Sequence, residues 1–204
     1  EDGVGEVADF MPVGERRQGG HRQRLVRTVR CVKGALHVCA DVEPRFDYGR
    51  EEAEVALVEN GAMFATPTLT LALSSQVPLE RTAQGARAIF HLKQGESATF
   101  VLEEDDSPRA YSNEEARELF SETTEYWSRW IAHARYQGRW REIVRRSALT
   151  LKLLTYRPSG AIIAAATTSL PEQLGGERNW DYRFTWIRDA AFSLYALLRL
   201  GFTE

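Results

Sequence analysis

Hydrophobic and polar positions alternate with a period of two through roughly the first half of the chain, then recur every three or four residues. Across RLVRTVRCVKGALHVCADV, a two-residue turn at Lys33-Gly34 puts Leu25, Val29, Cys31, Leu36, Val38, Ala40 and Val42 on one face. The other face then sets Arg24 opposite Glu43 and Arg30 opposite His37, the pattern of antiparallel strands with one side buried. Asn60-Gly61, between EVALVE and AMFAT, is a type I′ turn signal and predicts a second hairpin. A third is expected around Gln94-Gly95-Glu96, with Ala88, Phe90, Leu92, Ala98, Phe100 and Leu102 as its core face. Strand after strand with turn signals between them predicts an antiparallel β-sandwich over residues 1–107. No catalytic groups gather in this half, which reads as scaffold.

The period changes after EEDDSPRAY. Ser112 and Glu115 form a capping box, and a helix should begin there. Ala116, Leu119, Phe120, Thr123, Trp127, Trp130, Ile131 and Ala134 then line one helical face, giving a linker helix within residues 108–137. Gln137-Gly138 breaks it. A second helix should turn Trp140, Ile143, Val144, Leu151 and Leu154 inward before Arg157-Pro158-Ser159-Gly160 stops it. Residues 161–185 have no clean period, and a last helix is expected from Trp186 or Ile187 to Gly201, with Phe192, Tyr195, Ala196 and Leu200 inward. The acidic run Glu103, Glu104, Asp105, Asp106 reads as a solvated linker. The fold class is therefore mixed, β then α.

Composition narrows the function. A net charge of −3 and a pI near 5.9 exclude a nucleic-acid binder, which needs a basic footprint. The basic run Arg16, Arg17, Arg22, Arg24, Arg27, Arg30 and Lys33 reads as a loop followed by a solvated strand face. No apolar run reaches the roughly 18 residues of a membrane span, so no membrane partner is expected. No signal peptide is visible, and a cytoplasmic location is expected. Cys31 and Cys39 fall on opposite faces of the expected ribbon and should stay free thiols. His21, His37, His91 and His133 are scattered, so neither a metal nor a cofactor is expected. No nucleophile elbow, phosphate loop or dinucleotide fingerprint is present.

One segment stands apart. ERNWDYRFTWIRDAAF, residues 177–192, holds two tryptophans, a tyrosine, two phenylalanines, three arginines and three acidic residues. Sugars present apolar C–H faces that stack on such rings, and hydroxyls that adjacent Arg and Asp can grip, one donating and one accepting. Arg188-Asp189 beside Trp186 and Tyr182 has the parts of that pocket. The same residues could equally be core aromatics with a structural ion pair, or a protein interface.

SGAIIAAATTSLPEQLGGERNWDYRFTWIRDAAFSLYALLRLGF closely resembles the opening of the catalytic domain of bacterial glycoside hydrolase family 15, which includes glucoamylases, other α-glucosidases and a trehalase branch. DGVGEVADFMPVG and EPRFDYGR resemble its N-terminal β-sandwich, and the helix around Trp127 and Trp130 resembles its linker. The resemblance implies that residues 138–204 begin an (α/α)6 barrel. It implies that Tyr182, Trp186, Arg188 and Asp189 bind the non-reducing glucose of an oligosaccharide or disaccharide α-glucoside, with the tyrosine near the ring oxygen. The family inverts, using two carboxyl groups about 6.5–9.5 Å apart; both lie later in the barrel, so no catalytic residue is assigned here. Glu172 and Glu177 match neither position.

The expectation is therefore an N-terminal fragment of an inverting, glucoamylase-like hydrolase, opening without a methionine, stopping at Glu204 and inactive alone. A trehalase fragment is the nearest alternative, followed by a related phosphorylase. A non-catalytic carbohydrate-binding or interaction module is the alternative from another class.

Overall fold

The structure, a computed structural model, describes residues 3–13 and 23–203. Arg16, Arg17, Arg22 and His21 lie outside the described residues. Among the described residues nine strands come first: β1 (Val4–Phe10), β2 (Arg24–Lys33), β3 (Ala35–Val42), β4 (Glu54–Val58), β5 (Gly61–Ala65), β6 (Thr70–Ser75), β7 (Glu80–Arg81), β8 (Ala86–Lys93) and β9 (Ser97–Glu104). Helices α1 (Asn113–Ala132) and α2 (Arg141–Leu153) follow, then the short strands β10 (Thr155–Tyr156) and β11 (Ala161–Ile162), and α3 (Ile187–Leu200). The described residues form two compact units, one within residues 1–126 and the other within 127–204.

In the first unit a six-stranded antiparallel sheet, ordered β1-β2-β9-β6-β5-β4, and a three-stranded sheet, β3-β8-β7, enclose an apolar core. Val29, Cys31, Phe64, Leu73, Ala98 and Phe100 meet Ala88, Phe90 and Leu92 there. The alternation in the sequence assigns Val29, Cys31, Ala88, Phe90, Leu92, Ala98 and Phe100 to the inward faces correctly, but Leu25, expected with them, is 45% exposed, and two of the expected hairpins do not form. At Gly34 (φ 69°) the chain leaves one sheet for the other: β2 pairs with β1 and β9, while β3 pairs with β8. Gly95 (φ 88°) turns a second such corner between β8 and β9. Arg24 therefore lies opposite Glu103, not Glu43, and His37 opposite His91, not Arg30. Inward parity is the same for a hairpin and for an inter-sheet corner, so periodicity alone could not separate them. The hairpin of β4 and β5 does form, but its turn is Glu59-Asn60 with positive φ at Asn60 and not at Glu59, so it is not the expected type I′ turn.

The other face of the six-stranded sheet is covered as well, by Tyr111 and the first turns of α1, where Val26, Val101, Tyr111 and Leu119 form a second cluster. Here the reading of Glu103 as solvated linker is corrected. Its side chain is fully buried and pairs with Arg24 Nε at 2.8 Å, and it accepts the Tyr111 hydroxyl proton at 2.7 Å. An acidic residue at the end of a run looks exposed until the chain folds back and supplies a cation and a hydroxyl. The capping box forms as expected: Glu115 N–H donates to Ser112 Oγ at 3.1 Å, and Ser112 N–H to a Glu115 carboxylate oxygen at 2.8 Å. Arg109 adds a 2.9 Å ion pair to Glu115.

In the second unit Trp130 stacks on Phe202 at 4.0 Å over a core completed by Ala134, Ala148 and Leu197. α3 ends at Gly201 in a Schellman closure, with Phe202 N–H donating to Leu197 C=O and Gly201 N–H to Leu198 C=O, both at 3.0 Å. Several residues expected inward are exposed: Trp140 at the N-cap of α2 and Ile143 on its first turn, and Phe192 (69% exposed) and Tyr195 on α3. α3 carries large apolar residues on nearly every side, so its period could not select the buried face; Leu197 takes it.

Candidate functional site

The 161–185 stretch, which shows no period, folds as an irregular hairpin that delivers the aromatic cluster to the start of α3. Ala164 N–H donates to Phe184 C=O at 3.1 Å, Ala165 N–H to Tyr182 C=O at 2.8 Å, and Ser169 N–H to Trp180 C=O at 2.7 Å. Glu172 N–H closes the ladder on Arg178 C=O at 3.0 Å, and the chain reverses through Gly175 at φ 73°. Irregular spacing between these bonds explains why neither period two nor period 3.6 is legible there.

Asp181 is the local organiser. One carboxylate oxygen accepts Arg183 N–H at 3.0 Å and Arg183 Nε at 2.9 Å, while the other accepts Nη2 at 2.7 Å. Its carbonyl accepts Trp186 Nε1–H at 3.1 Å. Trp186 is the extended N-cap of α3, so its ring projects from a fixed entry to the helix. Tyr182 packs edge-on against that ring with centroids 5.3 Å apart, and Trp180 lies 6.1 Å away on a nearly perpendicular plane.

Arg188 and Asp189 follow on the first turn of α3, where the free N–H groups of the helix favour an acidic side chain. They bond to each other, Nη2 to Oδ2, at 3.1 Å. Arg188 is the more open of the two, with 71% of its side chain exposed against 33% for Asp189. One of five guanidinium N–H groups is thus committed, and most of both side chains' bonding capacity stays available. The four residues predicted for the site come together as two pairs, Tyr182 with Trp186 and Arg188 with Asp189, on either side of one helix start. A cleft of about 510 Å³ in this unit is lined instead by residues 137–143, which lead into the first turn of α2, and includes none of the four. Among the described residues no cluster of His, Cys, Asp and Glu has metal-site geometry, and no helix is long and apolar enough to cross a membrane.

Sequence reading missed Asp181 and Trp180 as organised members of the cluster. The D-x-R spacing of Asp181 and Arg183 was the available signal, since an Asp two residues before an Arg can bridge backbone and side chain at once.

Residues 138–204 match the profile of Glycosyl hydrolases family 15. These residues are a family 15 segment. The chain is also similar to the trehalase of Mycobacterium tuberculosis (strain H37Rv), 41% identical over 92% of this chain and 30% of that protein. It is 42% identical to the trehalase of Mycolicibacterium smegmatis over 87% of this chain and 28% of the relative. With the trehalase of Thermoplasma volcanium the identity is 34%, over 96% of the chain and 32% of the relative. The chain therefore spans about a third of the length of these curated relatives. No solved structure matches it. The family 15 expectation holds, and the names of these relatives favour its trehalase branch over the glucoamylase-like reading.

Proposed function

We propose that this chain supplies part of the sugar-binding pocket of a family 15 hydrolase acting on trehalose. The observation that carries this reading is the run of trehalases it resembles, at 34–42% identity over nearly the whole chain, sandwich included. In this reading residues 1–107 are the β-sandwich, 108–137 the linker and 138–204 the first part of an (α/α)6 barrel. Trp186 and Tyr182 offer ring surface to the C–H face of a glucose unit. Arg188 and Asp189 hold neighbouring hydroxyls, donor beside acceptor, at the end of the sugar remote from the bond that breaks. Tyr182, whose hydroxyl makes no hydrogen bond among the described residues, stands near the ring oxygen as positive charge develops there. The general acid and the water-activating base are not assigned to any residue of this chain.

The test is substrate choice by the complete gene product. Glucose release from trehalose at least tenfold faster than from maltooligosaccharides is expected, with inversion seen as equal amounts of α- and β-glucose from each trehalose. Preference for maltooligosaccharides would restore the glucoamylase-like reading, and sugar binding without any turnover would leave a binding module.

A further inference from the structure

Trp180 is 41% exposed, yet both its backbone and its indole N–H are bonded within the hairpin. Its backbone N–H donates to Ser169 Oγ at 2.7 Å and its carbonyl accepts Ser169 N–H at 2.7 Å. Its indole Nε1–H donates to a Glu172 carboxylate oxygen at 2.7 Å, and the other oxygen of Glu172 faces Arg178 at 3.7 Å. A solvent-facing indole with both its backbone and its polar edge fixed has little rotamer freedom left to lose on binding, and its remaining surface is apolar. It sits one ring away from Trp186, at 6.1 Å between centroids.

We infer that Trp180 is a stacking platform for the second pyranose ring of a disaccharide, and that Glu172 is the positioning residue that holds the indole in place. The inference rests on the proposed pocket: if Trp186 and Tyr182 take one sugar ring, the neighbouring indole meets the ring joined to it. Glu172 thereby has a role in orientation, although it occupies neither catalytic position.

The experiment compares trehalose kinetics and glucose inhibition in the complete gene product. Trp180→Ala should raise KM for trehalose about tenfold, leave kcat within about threefold, and leave the inhibition constant of glucose within about twofold, since a monosaccharide does not reach the platform. Glu172→Ala should reproduce this split, and Glu172→Gln, which keeps a carbonyl acceptor for the indole N–H, should largely restore KM. A Trp180→Ala enzyme with unchanged KM for trehalose overturns the platform, provided Asp189→Ala still impairs turnover. Equal losses in trehalose KM and glucose inhibition would place Trp180 on the first ring and overturn it too. If the wild-type protein does not hydrolyse trehalose, the pocket reading itself has failed and takes this inference with it.

Discussion

Replacing Tyr111 by Phe removes one oxygen from the polar cluster on the α1-covered face of the six-stranded sheet. That hydroxyl donates to buried Glu103 at 2.7 Å, and the second Glu103 oxygen is held by Arg24 at 2.8 Å. A hydrogen bond to a charged group contributes about 1.5–3 kcal/mol, and the loss is felt in full where water cannot replace the donor. The ring stays, and so does Arg109, whose guanidinium carbon lies 3.5 Å from the Tyr111 ring centroid. The unfolding midpoint should therefore drop by roughly 3–12 °C for a chain of this size. Tyr48→Phe, at a tyrosine 74% exposed, is the control and should move it by less than about 2 °C. The same hydroxyl carries a pH signature. Burial first, and then its bond to Glu103, push the Tyr111 pKa above the ordinary tyrosine value. A group with a raised folded pKa stabilises below its unfolded pKa and loses that contribution as pH rises through the folded one. Wild-type stability should thus fall above about pH 10, more steeply than that of Tyr111→Phe. Thermal melts followed by far-UV circular dichroism at pH 7 and pH 11 read both effects. A Tyr111→Phe midpoint equal to that of Tyr48→Phe would refute the argument that this buried bond matters.

Phe192→Ala, read from sequence alone as a core truncation, should cost less than about 0.5 kcal/mol because the ring is 69% exposed. Leu197→Ala, in the core with Trp130 and Phe202, should cost about 2–5 kcal/mol in the same melts. On the acid side, Glu115 is held below the ordinary carboxylate range by the Ser112 N–H and then by Arg109, and Asp9 by its hydrogen bond from Arg27. Depressed folded pKa values contribute stability that is lost as pH falls through them, so midpoints should decline between about pH 5 and pH 2. Glu115→Gln, which cannot titrate, should show the shallower decline.

The sequence made most inward positions of the strands, the capping box and the start and end of α3 legible, because each depends on residues close together along the chain. Ser112 and Glu115 are three apart, and Gly201 lies at the boundary it sets. What it hid depends on distant partners. Whether β2 turns back on itself at Gly34 or crosses to the other sheet is decided by β9 and β8 claiming the two strands. Glu103 looked solvated because Tyr111 and Arg24, which bury it, are eight and 79 residues away. At the candidate site the closeness of the four proposed residues was legible because they lie within eight positions of one another. Glu172 was legible as a carboxylate but not as Trp180's partner, since the bond crosses an irregular hairpin that no period describes.

The central claim is that the start of α3 grips sugar hydroxyls. It is tested most directly by the trehalose turnover of Asp189→Ala in the complete gene product, with folding verified by its melting temperature. Losing a charged hydrogen bond to substrate predicts a fall in kcat/KM of at least about tenfold, matched by Arg188→Ala. A folded Asp189→Ala enzyme with wild-type kinetics would contradict the claim and leave Arg188 and Asp189 as a surface ion pair.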